Sequence, residues 1–115
     1  MNKSLSLILI QPSVKVPDVL IEKFSVLDLD TNLLDQEEGL REVGIPVNAK
    51  IQVRDPNYGL FEIEKDMYGN PFFYVSPIYV ACALSEVKEL SQWDQSILKF
   101  VKSLRPEIKV VPWWH

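Results

Sequence analysis

The 115-residue sequence predicts one α+β domain over residues 1–115, with a mixed, mostly antiparallel sheet of about five strands. Two or three helices are expected to pack on one face of that sheet. Segments in which apolar and polar residues alternate predict half-buried strands, because successive side chains of a strand leave opposite faces. One longer segment, 92–104, instead repeats its apolar residues with the period of a helix.

The N-terminal segment 4–10 predicts the first strand, since serine and leucine alternate along its first half. A signal peptide is disfavoured because Gln11 and Pro12 follow where small cleavage-site residues would be expected. The sequence also lacks an apolar run of the roughly 18 residues needed to span a bilayer. We therefore expect an unprocessed cytoplasmic protein with no membrane partner.

The apolar middle of the chain, from Ile51 to Leu84, is predicted to form the strands on which the rest of the sheet is built. Segments 51–54 and 61–64 alternate cleanly and predict a hairpin. The nearly unbroken apolar run 72–84 favours a central strand, bent at Pro77 because proline cannot donate a ladder hydrogen bond. The alternative is that the strand ends there and residues 76–87 form a helix.

Three helices are predicted along the chain. Pro17 and Asp18 favour a helix start and a short helix over 18–24, although 24–30 could equally be a strand. A second helix is expected to run from about residue 31 to 43 and to end at Gly44.

The third helix, 92–104, follows a serine that can cap it and is stopped by Arg105 and Pro106. A last strand is predicted over 108–111, before the terminal Pro-Trp-Trp-His. The predicted order is thus β, α, α, β, β, β, α, β.

Counting residues removes several kinds of chemistry. Cys82 and His115 are the only cysteine and histidine, so the sequence offers no internal disulfide and no four-ligand structural zinc site. A histidine at the last position is poorly placed to activate a nucleophile. The glycine-rich phosphate-binding motifs G-x-x-x-x-G-K and G-x-G-x-x-G do not occur in the sequence. We therefore expect a protein that is not an enzyme and uses no cofactor or metal.

One short motif suggests a different interpretation. Residues 26–31 read VLDLDT, which resembles the first motif of the haloacid dehalogenase-like phosphatases, an apolar strand followed by D-x-D-x-T. The resemblance implies Asp28 as nucleophile and Asp30 as general acid, with magnesium holding the phosphate. It covers six residues, and the later paired-acid motif of that family does not follow.

The same aspartates also match the start of a calcium-binding loop. This segment, however, lacks the glycine at loop position six and the glutamate at position twelve of such loops. The favoured interpretation of this segment is the end of a strand or helix followed by a helix cap.

Charge is the most distinctive feature of the sequence. Residues 18–42 carry eight acids against Lys23 and Arg41, a net charge of −6, so the remainder of this −4 chain carries +2. Such clustered negative charge would attract a basic protein and repel nucleic acid. The alternative is a solvated helix face that only keeps the domain soluble.

The adjacent Trp113 and Trp114 should face opposite ways on an extended terminus, so only one can easily pack onto the core. The other is either an interface anchor or part of a tail that covers the sheet edge.

From these observations we expect a small acidic binding protein, most concretely an immunity-type inhibitor that neutralises a basic toxin such as a nuclease by occluding its active site. Two alternatives stay open. One is a small metal-dependent hydrolase using Asp28 and Asp30, and the other is a structural subunit or homodimer packed through the C-terminal tryptophans. The expected partner-binding residues are Asp28, Asp30, Asp35, Glu37, Glu38, Glu42, Trp113 and Trp114.

Overall fold

The computed structural model describes residues 3–10, 21–22, 26–47, 50–55, 57 and 59–115. Its strands are β1 (Leu5–Ile10), β2 (Ile21–Glu22), β3 (Val26–Leu29), β4 (Ile45–Pro46), β5 (Ile51–Asp55), β6 (Gly59–Ile63), β7 (Phe73–Tyr74) and β8 (Lys109–Trp114). Its helices are a 3-10 helix (Leu34–Gln36), α1 (Glu37–Val43), α2 (Pro77–Ser85) and α3 (Gln92–Ser103). The predicted α+β class is confirmed.

Strand β1 is the centre of the main sheet, where it pairs antiparallel with both β3 and β8. Residue Leu7 lies opposite Leu27 on one side and opposite Pro112 on the other. The prediction that residues 72–84 form the central strand is therefore wrong. The described strands form three ladders, β3-β1-β8, β2-β5-β6 and β4-β7, where one sheet of about five strands was expected.

The two faces of the main sheet cover separate hydrophobic clusters. Leu5 and Leu7 of β1 belong to the cluster that buries the inner faces of all three α-helices. Ile8 and Ile10 belong to the other cluster, with Ile51 of β5. The period-2 alternation of the strand produces this division, because adjacent side chains leave opposite faces. The helices thus lie on one face of the main sheet, as predicted.

Residues 77–85 form helix α2, so the predicted bent strand is wrong here and the alternative that ended the strand at Pro77 is correct. Proline is favoured in the first turn of a helix, where its missing N–H needs no partner. The helix buries Val80 and Leu84 completely against the main sheet, and this packing outweighs the strand preference of its β-branched residues. Strand β7 is only Phe73–Tyr74 and pairs antiparallel with β4.

The first predicted helix, 18–24, is wrong where it can be compared, because Ile21–Glu22 is a strand paired parallel with β5. Its other residues lie outside the described part of the chain. Val26–Leu29 is strand β3, in agreement with the alternative kept for 24–30. The backbone groups of β3 find hydrogen-bond partners in β1, and those of β2 find them in β5. This is a tertiary contribution that the local sequence does not reveal.

The remaining elements follow the sequence closely. The β5–β6 hairpin pairs Ile51 with Ile63, and α3 begins after its Ser91 cap. Gly44 ends α1 as predicted, and a Cβ there would overlap the ring of Phe73. Strand β8 extends to Trp114, beyond the predicted end at residue 111. Within the described residues, every helix is too short or too polar to cross a membrane.

Candidate functional site

The outer face of α2 is apolar, which is unusual for a helix on a protein surface. Most surface helices place charged and polar residues on the side that faces solvent. Here Ile78 is 64% exposed and Tyr79 44% exposed, and Cys82 is exposed beside them. The three residues are three and four positions apart and therefore share one side of the helix. A clustered apolar surface of this kind is typical of an interaction site.

Two grooves run along this face of α2. The α2–α3 groove has a volume of about 770 Å³ and is lined mainly by apolar side chains, among them Ile78 and Val101. The second, the α1–α2 groove, has a volume of about 230 Å³. It is lined by residues of the 3-10 helix, α1 and α2, namely Asp35, Gln36, Gly39, Leu40, Val43, Tyr79, Cys82, Ala83 and Glu86. Cys82 and Glu86 border both grooves.

Three exposed acids lie beside the α1–α2 groove and form what we call the acidic stripe, Asp35, Glu38 and Glu42. Their spacings of three and four residues place them along one side of α1 and the turn before it. Asp35 lines the groove itself, and Glu86 lines it from α2. Within the described part of the chain, none of these four carboxylates forms an ion pair. The groove therefore combines apolar walls with uncompensated negative charge.

Glu37 has a different environment from its neighbour Glu38. Its carboxylate lies 3.0 Å from the Lys3 ammonium and 3.0 Å from the Arg41 guanidinium. Arg41 also lies 3.5 Å from Asp66. Its guanidinium stacks over the Trp114 ring at 5.0 Å, so the network is attached to the core. The structure thus separates Glu37 from the acidic stripe and gives it a role in holding the fold.

Asp28 and Asp30 are also engaged within the chain. Asp28 accepts a hydrogen bond of 2.5 Å from the Ser6 hydroxyl, and Asp30 accepts one of 2.6 Å from the Ser91 hydroxyl. The buried carboxylate of Asp94, in the first turn of α3, accepts hydrogen bonds from the backbone N–H groups of Asp30 and Thr31 at 2.8 Å each. This turn is therefore fastened to the N-terminus of α3.

The described residues include no group of three or more His, Cys, Asp and Glu side chains arranged to hold a metal ion, around Asp28 and Asp30 or elsewhere. The metal-dependent hydrolase gains no support from the geometry of these two aspartates.

The two tryptophans face opposite sides of β8, as the sequence predicts for an extended segment. Trp114 is 0% exposed, and its indole N–H donates a 2.8 Å hydrogen bond to the Asn32 carbonyl. Trp113 is half-buried on the other face, with its ring 4.7 Å from that of His115. Trp114 is thus part of the core, and Trp113 packs half-buried against the second hydrophobic cluster.

Sequence reasoning missed how firmly the C-terminus is held. The backbone of His115 exchanges two hydrogen bonds with Ser4, and its imidazole Nε2 lies 2.8 Å from the Ser6 hydroxyl. Ser6 is 1% exposed and gives its hydroxyl proton to Asp28, so this serine is neither accessible nor poised as a nucleophile. The cluster fastens the last strand to the first.

The sequence carries a signal for the apolar face of α2, the uninterrupted apolar run after residue 76, although that run by itself favours a strand covered on both faces. No family model, curated protein or solved structure matches the chain. Among its described features, the α1–α2 groove with the acidic stripe combines apolar area and unpaired charge in one place. Such a surface is suited to a partner that presents basic and apolar side chains together.

Proposed function

We propose that this protein binds a basic protein through the outer face of α2 and the neighbouring acidic stripe. In its most concrete form it is a small cytoplasmic inhibitor of the immunity type, which neutralises a basic toxin such as a nuclease by covering its active site. One observation carries the proposal: exposed apolar residues of α2 lie beside carboxylates that have no ion-pair partner among the described residues.

The two components of this surface would contribute differently to binding. Burying Ile78 and Tyr79 supplies affinity, at roughly 25 cal/mol for each Å² of apolar surface removed from water. The acidic stripe raises the association rate and the selectivity, because complementary charge steers the encounter and like charge repels acidic proteins. The cleft of a nuclease is lined with basic side chains that bind phosphate. Carboxylates of an inhibitor could occupy the positions that the phosphates would otherwise take.

The partner can be found by capture on the immobilised protein from a lysate of the source organism at low salt, followed by elution with increasing salt and identification by mass. The decisive measurement is then the association rate with the purified partner. In E38K/E42K this rate should fall at least about tenfold at low salt, and the difference should shrink as salt rises. Glu37 is left unchanged, because reversing its charge would disrupt the network with Arg41.

The matched control is E89K/E107K, which changes the net charge equally at two exposed acids that lie outside the acidic stripe and line neither groove. Its association rate should stay within about twofold of the wild-type value. If both double variants slow association equally, net charge acts without a specific site and the proposed surface is wrong. If the captured partner is a nuclease, its activity should fall to zero at one equivalent of this protein, and with E38K/E42K the same inhibition should develop about tenfold more slowly at low salt.

A further inference from the structure

Gly39 has no structural reason to be glycine within the described part of the chain. It is the third residue of the seven-residue helix α1, and glycine weakens a helix relative to alanine. Its φ is not positive, since the glycines with positive φ are Gly59 and Gly69. A Cβ built at Gly39 would meet no described atom within 4 Å. Neither the backbone conformation nor the packing at residue 39 therefore requires the absence of a side chain.

The space beside Gly39 belongs to the α1–α2 groove. Val43 of α1 and Cys82 of α2 provide exposed apolar surface from the two helices, and Tyr79 adds an aromatic side chain. Asp35 from the 3-10 helix and Glu86 from the end of α2 add two carboxylates to the same groove. Its volume of about 230 Å³ is below the range of about 300–1,000 Å³ typical of pockets for drug-sized ligands. The groove has the size for a single side chain.

We infer that the α1–α2 groove receives one arginine side chain of the basic partner, and that Gly39 leaves the space for it. This inference rests on the proposed function. The aliphatic stem of the arginine packs on Val43 and Cys82, and its guanidinium lies between the carboxylates of Asp35 and Glu86. Arginine fits better than lysine because its planar guanidinium presents several donors at once and also stacks on an aromatic ring such as that of Tyr79.

The first test needs no identified partner. The ¹⁵N-labelled protein is titrated with N-acetyl-arginine N-methylamide and, separately, with the citrulline counterpart, which has nearly the same shape and no charge. The arginine compound should shift the amide signals of Gly39, Ala83 and Glu86 with a millimolar dissociation constant. The citrulline compound should bind at least fivefold more weakly. Equal binding of the two compounds, or shifts elsewhere only, would overturn the inference.

Two sets of variants test separately the space beside Gly39 and the negative charge of Asp35 and Glu86. Gly39→Leu should abolish the shifts by filling the groove, and Gly39→Ala should weaken binding while raising the thermal midpoint of unfolding. D35N/E86Q should weaken arginine binding at least fivefold, whereas the control E89Q/E107Q should leave it unchanged. If G39L fails to fold, G39A and D35N/E86Q still decide, because unchanged arginine binding in both contradicts the inference.

The purified partner distinguishes this inference from the proposed function. G39L should raise the dissociation rate at least tenfold with little change in the association rate, because it removes a packed contact and no charge. If G39L binds like the wild type while E38K/E42K associates slowly, the arginine site is wrong and the binding surface stands. If no variant of α1 or α2 changes either rate, the proposed function itself is wrong.

Discussion

Replacing Asp94 by asparagine should lower the stability of the fold far more than the same acid-to-amide change at an exposed residue such as Asp35. Asp94 is 1% exposed and lies in the first turn of α3. Its two oxygens accept the backbone N–H groups of Asp30 and Thr31, both at 2.8 Å. The carboxylate thereby joins the turn after β3 to the helix, and its charge also suits the N-terminal end of a helix.

The expected loss follows from these contacts. In D94N the amide oxygen can keep one of the two hydrogen bonds, but the amide NH₂ then faces the second backbone N–H. An unpaired buried donor costs about 1–3 kcal/mol, and removal of the charge from the first turn of a helix costs about 0.3–1 kcal/mol more. We therefore expect the free energy of unfolding to fall by about 1–4 kcal/mol, a large share of the 5–15 kcal/mol typical of a domain.

Urea denaturation at 25 °C, followed by circular dichroism and tryptophan fluorescence, measures this change. D94N should lower the midpoint by about 1 M or more with an unchanged slope. The control is Asp35→Asn, since Asp35 is exposed and should change stability by less than about 0.5 kcal/mol. If D94N costs no more than D35N, the two backbone hydrogen bonds contribute little and the reasoning is refuted.

Four further changes test the packing and charge assignments. Gly39→Ala should raise the free energy of unfolding by up to about 1 kcal/mol in thermal or urea melts, and a loss would show that the glycine serves the fold itself. Gly44→Ala should lower the thermal midpoint, because its Cβ would overlap an aromatic ring of β7, and an unchanged midpoint would contradict this close approach. Glu37→Gln should destabilise more than Glu38→Gln in paired urea titrations, since only the first has two cationic neighbours, and equal effects would argue against the network. Trp114→Ala should cost about 3–5 kcal/mol as a core truncation, whereas a small loss with release of monomers by light scattering would favour the tryptophan homodimer.

Local patterns determined the class of fold and several of its elements. The alternation of 51–54 and 61–64 and the apolar stripe of 92–104 lie within single segments, and they predicted β5, β6 and α3 closely. The uneven distribution of acids was also visible without coordinates. These features could be predicted because strand and helix periodicity depend on neighbouring residues alone.

The role of each acid depended on the tertiary structure. Glu37 and Glu38 are adjacent and chemically identical, yet only Glu37 meets Lys3 and Arg41. Lys3 is 34 positions away in sequence, so its approach to Glu37 depends on how β1 and α1 pack. Asp28 and Asp30 likewise meet serines from distant parts of the chain. The structure therefore divides the predicted acids into those with hydrogen bonds or ion pairs within the chain, Asp28, Asp30 and Glu37, and the acidic stripe.

Tertiary packing also decided what the apolar run after residue 76 becomes. Its composition suits a strand or a helix equally, and its length does not separate them. The central position in the main sheet is taken by β1, with β3 and β8 on either side, and the run instead packs as α2 against that sheet. The sequence by itself determined that this segment is apolar and largely buried. Only the fold decided that one side of it, with Ile78 and Tyr79, stays exposed beside the acidic stripe, because exposure depends on which surfaces the other elements cover.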